Sequence, residues 1–577
     1  GGYEMRVVES PAASGRVLDI LTWVLTKTSV GPSVRRYLLN GNEVHMLREL
    51  ASQAAAYPPM YYPFRRLSGE AHFYLSQKGL DSKLDDIDRN GFPEPKRELL
   101  GNDVPPSVED YHKMYKSGKI SPKEAIQRVL KRAESLVGVF ASLDPKAAML
   151  QAEASERRWA NAAPLSVWDG VPIAVKDMIS VKGHPMFFGM DPAAPELQKI
   201  MDHDDEIVHR FRMAGAVVLG TTTMTEGGVT PLGYCEFFGG PLNPFSPSHY
   251  PGGSSSGSAY AVAAGVVPVA VGFDGGGSIR IPAAFSGCIG LAAGFGRISF
   301  GKEHASSTMV KAGVLASTVR DAALSYALLA PTSRNDFFSN LYGGDGLPAV
   351  HLDKFAQTKD LSDVRLGVFP AHFQDAEPQV VAACEQAVAH LEALGATVVN
   401  ISIPHMHWLA MAHGLKISSE FALLFDGPYY AYNGHNATTH LGSNTRVTIG
   451  IGSSVSALEA IAADRLRRWA FEYVEGLFAS ESLTAIVSPT VGFTAPELHP
   501  GTLESGRSDT TLVMKMLRHI FLANLLGLPA LSVPVGYAAD NSSAENVELP
   551  IGFQIIGRQV LRTQRRQKSP NFLDQIQ

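Results

Sequence analysis

The stretch Val267-Pro268-Val269-Ala270-Val271-Gly272 runs without interruption into Phe273-Asp274-Gly275-Gly276-Gly277-Ser278. A short apolar run of this kind reads as a strand buried on both faces, and such strands belong to sheets covered by helices. The three glycines after it strip the side chains from one turn of backbone, so its N–H groups can close on a developing negative charge. A second run, Pro251-Gly252-Gly253-Ser254-Ser255-Ser256-Gly257-Ser258, places Ser254 24 positions before Ser278. A buried strand that delivers a bare turn and a serine restricts both the fold and the chemistry.

The strand pattern recurs. Val171-Pro172-Ile173-Ala174-Val175 ends at Lys176-Asp177, and Ala216-Val217-Val218-Leu219-Gly220 follows a helix that ends near Met213. Runs at 364–369 and 396–399 flank a helix at 380–394, and further strands lie at 483–489 and 530–535. Ser121-Pro122-Lys123-Glu124 opens a helix, with serine as cap and proline at the first helical position. From Ser107 onward, strands alternating with helices predict an α/β fold whose central sheet carries helices on both faces.

Residues 1–106 read instead as an N-terminal helical extension preceding a catalytic domain at 107–577. Val17, Ile20, Leu21 and Val24 recur at helical spacing, with Leu18, Trp23 and Leu25 broadening the face. Gly31-Pro32 breaks this helix, and Val34, Tyr37 and Leu38 begin another. Lys27, Arg35, Arg36 and Arg48 surround these faces. Two roles stay open for the pair: packing on the core, or contact with a membrane surface or a second copy. Turn-rich connectors are expected at 57–64 and 102–106.

Bulk composition removes several function classes. A net charge of −6 gives no support for nucleic-acid binding, and the basic cluster Arg562, Arg565, Arg566 and Lys568 reads as a solvated end. Three dispersed cysteines, Cys235, Cys288 and Cys384, argue against a disulfide framework and against Cys-rich zinc sites, and fit a reducing compartment. No run of about 20 uninterrupted apolar residues suggests a membrane span. The chain begins at Gly1, which leaves a removed leader open.

The chemistry converges on Ser278 as nucleophile, with the N–H groups of Gly275, Gly276, Gly277 and Ser278 as oxyanion donors. A serine hydroxyl needs a base. Lys176 follows a buried strand, where desolvation would pull its pKa toward neutrality, and Ser254 can relay a proton between the two. Asp274 and Arg280 flank the nucleophile and can pair to fix the loop. Gly253-Ser254-Ser255-Ser256-Gly257 formally matches the G-x-S-x-G elbow, but a loop precedes it where that motif needs a strand.

The span from Gly252 to Ser299 resembles the amidase signature family, through GGSSSG, GFDGGGSIRIPAA, SGCIGL and Gly296-Arg297. The resemblance implies the family's fold, a central twisted mixed β-sheet covered by helices. It also implies a Ser–cis-Ser–Lys triad, here Ser278, Ser254 and Lys176, with Ser255 in support. Over nearly its whole length the chain is similar to the plant-type fatty acid amide hydrolases of that family. Pro58-Pro59-Met60-Tyr61, Ser488-Pro489-Thr490, the run 523–530 and the run 549–558 carry that likeness. It implies hydrolysis of N-acylethanolamines and related lipid amides without cofactor or metal, a homodimer, and peripheral association with an intracellular membrane, the endoplasmic reticulum or the plasma membrane. Met224 and Glu226 are then expected in the substrate pocket, and Met60, Tyr61, Phe64 and the Trp23 helix at its mouth.

Three departures accompany the likeness. The family's Gly-Leu-Lys reads Gly290-Leu291-Ala292, the segment 221–228 is atypical where relatives carry Asn-Met-x-Glu, and 560–577 is polar and basic. The alternatives are an amidase or esterase of small soluble amides, a non-catalytic amidase-like scaffold, and a transamidase subunit.

Overall fold

Eleven strands form one mixed sheet in a computed structural model that describes residues 3–6, 12–54, 56–63, 106–300, 307–330, 360–426, 441–499, 501–540 and 547–559. In chain order they are β1 (Phe140–Leu143), β2 (Pro172–Lys176), β3 (Val217–Thr222), β4 (Val269–Asp274), β5 (Ile289–Ala292), β6 (Lys311–Ala316), β7 (Arg365–Val368), β8 (Thr397–Asn400), β9 (Ala485–Pro489), β10 (Ala530–Ala539) and β11 (Glu548–Gly557). Across the sheet the order is β1-β3-β2-β4-β6-β5-β10-β11-β9-β7-β8. β3, β2 and β4 run parallel at one end, and β9, β7 and β8 at the other. An antiparallel centre of β4, β6, β5, β10, β11 and β9 joins them. This is the α/β class expected from the alternation.

The strands read from apolar runs are those of the parallel ends, together with β10. β1, β5, β6 and β11 escaped that reading because they break its pattern, β1 being half-buried along its whole length. β5 is four residues long, β6 starts at a buried lysine, and β11 contains Pro550 and Gly552. Ser121 caps its helix as expected, accepting from the Glu124 N–H at 3.2 Å, with Pro122 at the first helical position.

The helices that shape the site are α1 (Gly15–Lys27), α2 (Gly31–Gly41), α3 (Met46–Gln53), α4 (Ser256–Ala263), α5 (Arg280–Ser286), α6 (Met406–Asp426), α7 (Ser443–Gly452), α8 (Ala457–Ser480), α9 (Thr510–Leu517) and α10 (Phe521–Leu525). The buried stripe of α1 is Leu18, Thr22 and Leu25. Leu18 and Leu25 pack with Val447 of α7. The apolar positions chosen from sequence spacing divide: Val17, Ile20 and Trp23 point outward, each at least 60% exposed. Arg36 clamps the buried Glu459 of α8 through two nitrogens at 3.0 and 2.6 Å, and Arg48 reaches the same carboxylate. Ala13–Ser14 pairs with Arg507–Ser508 as a short antiparallel ribbon. The N-terminal helices are therefore fastened to the body beside its pocket.

Among the described residues no single helix is long and apolar enough to cross a bilayer. The three cysteines are buried thiols. Phe64, most of the 102–106 connector, the basic cluster and the tail from 560 lie outside the described residues.

One glycine of the serine run has a packing reason. A Cβ on Gly257 would stand 2.5 Å from Val139 O and 2.7 Å from both Thr223 N and O, all backbone atoms. Gly257→Ala is expected to destabilise the protein by about 1–3 kcal/mol by forcing α4 off β3. Urea unfolding checks this, and an unchanged midpoint would show that the contact is loose.

Candidate active site

β2 and β4 are parallel neighbours, in register from Ile173 opposite Val269 to Val175 opposite Val271. Lys176 and Asp274 close these two strands at the same edge. The carboxyl ends of parallel strands are where α/β sheets open to ligands. The serine run crosses this edge with a cis Gly253–Ser254 peptide bond. The Ser255 N–H donates to Ser278 O at 3.1 Å, and Ser255 Oγ donates to Phe273 O at 3.4 Å, so the two serine loops are tied together. Lys176 Nζ donates to Ser254 Oγ at 2.7 Å. Burial pushes the Lys176 amine down to about 7, with the Asp274 charge opposing. Lys176, Ser254, Ser278, Gly275 and Gly276 all face one pocket.

The glycine turn is organised by Asp274. Its carboxylate accepts from the N–H groups of Gly277 (2.8 Å) and Ile279 (3.2 Å). It also accepts from Arg280 Nε and Nη2, both at 2.9 Å, and from Asn524 Nδ2 at 2.9 Å. Asp274 and Arg280 are fully buried. Burial alone would raise the Asp274 carboxyl, but the Arg280 charge and hydrogen bonds, with Lys311 and Asn524, hold it well below the usual carboxylate range. The expected pairing of Asp274 with Arg280 is present. The donor set expected for an oxyanion needs one correction. The Gly277 N–H is spent on Asp274, and Gly277 serves the turn, with φ +88° and a would-be Cβ 2.6 Å from Ile520 Cγ2. Gly275, Gly276 and Ser278 remain at the pocket.

Several residues of the site carried no local sequence signal. His413, buried on α6, places Nε2 3.0 Å from Gly275 O, and an imidazole nitrogen facing a carbonyl must carry the proton and donate. Burial pushes His413 down to about 4, so the ring is neutral. Asp177 anchors a neighbouring loop by accepting from Phe187 N at 3.0 Å and Gly189 N at 3.2 Å. Burial raises its carboxyl to about 7 against those donors. Lys311 of β6 is buried opposite Asp274 in the ladder and donates to Leu528 O at 2.5 Å and Ala523 O at 3.2 Å.

The pocket has a volume of about 200 Å³ and a mostly apolar wall. His413, Ile417, Phe421 and Leu424 present one face of α6, while Val447 and Ile451 come from α7 and Val513 and Leu517 from α9. The substrate residues expected from sequence are not in this wall. Met224 is fully buried in the core beneath the sheet. Glu226 turns away and accepts the Gly442 N–H at the start of α7. Met60 sits in the core between the N-terminal helices and α8, and Tyr61 is 54% exposed with Lys416 Nζ 5.6 Å from its ring. Trp23 likewise stays outside the pocket. The resemblance to the family placed these residues at the pocket, and the packing of this chain turns them elsewhere.

Away from the pocket, His249, Glu497 and Asp540 bring possible metal-ligand atoms within 4.8 Å of one another. There His249 Nε2 already contacts Asp540 at 2.8 Å, and its Nδ1 faces Ser246 Oγ at 2.8 Å.

Removing Asp274 leaves Arg280 buried without its carboxylate. Asp274→Ala is expected to cost about 3–5 kcal/mol, read by chemical denaturation at neutral pH; wild-type stability would show the pair to be dispensable. Because the folded-state pKa is depressed, this contribution is full above the ordinary aspartate value of about 4. It is lost as pH falls toward the lower folded-state pKa.

Comparison with known proteins identifies a family and a fold. The family model described as Amidase matches residues 124–561. A fatty acid amide hydrolase of Medicago truncatula is 31% identical, across 96% of this chain and 91% of its own length. A glutamyl-tRNA(Gln) amidotransferase subunit of Symbiobacterium thermophilum is 34% identical, across 78% of this chain and 93% of its own. A bacterial aryl acylamidase of the amidase signature enzymes shares the fold, with a TM-score of 0.67 at 24% identity over 79% of this chain and 93% of that one. With the family model spanning most of the chain and the serine–lysine pocket built as it is, the chain belongs to the amidase signature family of serine hydrolases and is an amidase.

Proposed function

We propose that the chain hydrolyses fatty acid amides, N-acylethanolamines among them, by acyl transfer to water through Ser278. The observation that carries this reading is the 2.7 Å contact between Lys176 and Ser254 at the floor of an apolar pocket that Ser278 also faces. A neutral lysine amine keeps a lone pair beside its N–H groups, so this contact passes a proton in either direction. Lys176 takes the Ser254 proton as Ser254 takes that of Ser278. The Ser278 Oγ–carbon bond forms, and the N–H groups of Gly275, Gly276 and Ser278 receive the oxyanion. The proton returns through Ser254 to the amide nitrogen, the C–N bond breaks and the amine leaves. Water then adds to the acyl-enzyme and releases the fatty acid. His413 holds the Gly275 carbonyl and so positions the donor turn.

Two further features support a lipid amide. The fatty acid amide hydrolase of Medicago truncatula aligns with 96% of this chain, against 78% for the bacterial amidotransferase relative. The outward face of α1, with Val17, Ile20 and Trp23 beside Arg16 and Lys27, has the composition of a helix lying on a lipid surface. That helix rests on Val447 and Ile451 of α7, which also line the pocket, so an intracellular membrane would sit next to the acyl site. The same face is where a second copy would dock in a homodimer.

Purified enzyme is expected to turn over a long-chain N-acylethanolamine in preference to a short aryl amide, and reversed preference would favour the small-amide reading. Ser278→Ala should abolish turnover and fluorophosphonate labelling. For the wild type, kcat/KM should rise with pH through an apparent pKa near 7, where Lys176 loses its proton, and level off above it. A profile that still climbs toward pH 10 would show Lys176 titrating at the ordinary lysine value of about 10.4, and a profile flat from pH 5 to 10 would remove Lys176 as the base.

The combined change Val17→Ser, Ile20→Ser and Trp23→Ser should reduce co-sedimentation with anionic liposomes several-fold while helix content holds. Unchanged sedimentation, with dissociation of a dimer in light scattering, would assign the face to a second copy.

A further inference from the structure

Five residues other than glycine adopt a left-handed backbone among the described residues, with φ between +52° and +62°. Of the five, Phe188 is the one in the wall of the serine pocket. A bulky residue at φ +60° is strained. Such strain persists only where the surroundings hold it, and it gathers at functional sites.

The residue that holds it is Asp177, which directly follows Lys176 at the end of β2. Asp177 Oδ1 accepts the Phe187 N–H at 3.0 Å, and Oδ2 accepts the Gly189 N–H at 3.2 Å. The Asp177 carbonyl accepts the Phe188 N–H at 3.0 Å. Three successive N–H groups of the loop therefore end on one residue. Asp177 is fully buried, and a carboxylate taken out of water is costly unless it is well hydrogen-bonded. It does not itself line the pocket.

Phe188 carries this anchoring to the reacting groups. Its carbonyl accepts the Gly227 N–H at 2.9 Å. On the next residue, Gly228, a Cβ would lie 3.4 Å from Ser254 Oγ. The strip of backbone that lies against the relay serine is thus stitched to Phe188. The Phe188 ring also meets Phe425 of α6 edge to face, with centroids 6.3 Å apart. Phe425 Cζ would stand 2.5 Å from a Cβ on Gly227, so ring, helix and strip are closely packed.

We propose that Asp177 is a positioning residue for the pocket: by gathering the N–H groups of 187–189 it holds the Phe188 ring in the wall, and so fixes the surface against which an apolar part of the substrate rests. The inference rests on the acyl-transfer reading at Ser278. It adds a residue that acts on substrate fit and leaves the proton path to Lys176 and Ser254. An asparagine at 177 keeps the shape but turns one acceptor into an NH₂ group, which faces an N–H donor. One anchor is then lost, and the loop can relax toward an ordinary φ with the ring out of the wall.

The test uses the full chain at pH 8.5, because burial places the Asp177 carboxyl and the Lys176 amine both at about 7. Palmitoyl ethanolamide reports on fit, and a short-chain fluorophosphonate reports on the proton path. Asp177→Asn and Phe188→Gly should each raise KM for the amide about tenfold, with kcat and the labelling rate moving far less. Glycine adopts φ +60° without strain, so Phe188→Gly removes the ring and also the need for the anchor. Adding Asp177→Asn to Phe188→Gly should therefore leave KM where Phe188→Gly put it. This comparison remains available if Asp177→Asn alone melts below the assay temperature. Unchanged KM in folded Phe188→Gly, or a further rise of KM in the double variant, overturns the proposal. A parallel fall of kcat and labelling in Asp177→Asn overturns it as well, since Asp177 would then serve Lys176. Failure of the wild type to be labelled at all would instead overturn the acyl-transfer reading.

Discussion

The carboxylate of Asp274 is the point on which the site is built. It ends β4 and holds, in one buried cluster, the N–H of Gly277, the guanidinium of Arg280 and the amide of Asn524. Arg280 extends the cluster by donating to Gln554 of β11 at 2.5 Å. Elements from 250 or more positions away in the chain are thereby fixed to the turn that presents Ser278. A buried ion pair is a poor source of net stability, because desolvation offsets most of its attraction. Its value here is geometric: the donors gathered on one carboxylate leave the glycine turn a single arrangement, which orients Gly275, Gly276 and Ser278 toward the pocket.

That cluster explains which parts of the site are legible in the sequence. Asp274, Arg280 and both serine loops sit in short contiguous runs, where the bare glycines and the strand before them declare themselves. Lys176 is legible for the same reason, as a charge closing a buried strand. Asn524, Gln554, Lys311 and His413 reach the site from distant elements, and each lies in an apolar stretch that reads as core. The pocket wall is similarly silent: the α6 face at 413, 417, 421 and 424 has helical spacing, but spacing alone does not say whether a face meets core or cavity. Met224, Glu226, Met60 and Tyr61 illustrate the converse, since a family resemblance says nothing of where a side chain points in this chain.

The fold shows a related limit. Parallel strands buried on both faces announce themselves as apolar runs, which is why the two parallel groups of the sheet were readable while the antiparallel edge strand β1 was not. The antiparallel centre is built from segments whose composition breaks that rule, above all β6 with Lys311. The position where the family's pattern has a lysine is Ala292 in this chain, and Ala292 pairs with Gly313 in the β5–β6 ladder. Lys311 is two residues along from Gly313 on the same face. The buried cation stands on the adjacent strand, where its charge helps keep Asp274 ionised. Burial and the Arg280 charge bring Lys311 itself down to about 7, and two backbone carbonyls take up its amine.

The short helix α7 joins the remaining features into one device. It carries α1 through Ser443, whose hydroxyl donates to Asp19 at 2.6 Å and whose carbonyl accepts from Thr22 at 3.3 Å, and through Val447 and Ile451, which pack in one cluster with Leu18 and Leu25. Val447 and Ile451 also line the apolar pocket, together with Thr448. The N-terminus of α7 is capped by Glu226, and Asn444 in its first turn faces the pocket. A helix of 10 residues cannot shift at one of these contacts without moving at the others. The packing around α7 therefore ties the outward-facing helix α1 to the wall of the apolar pocket.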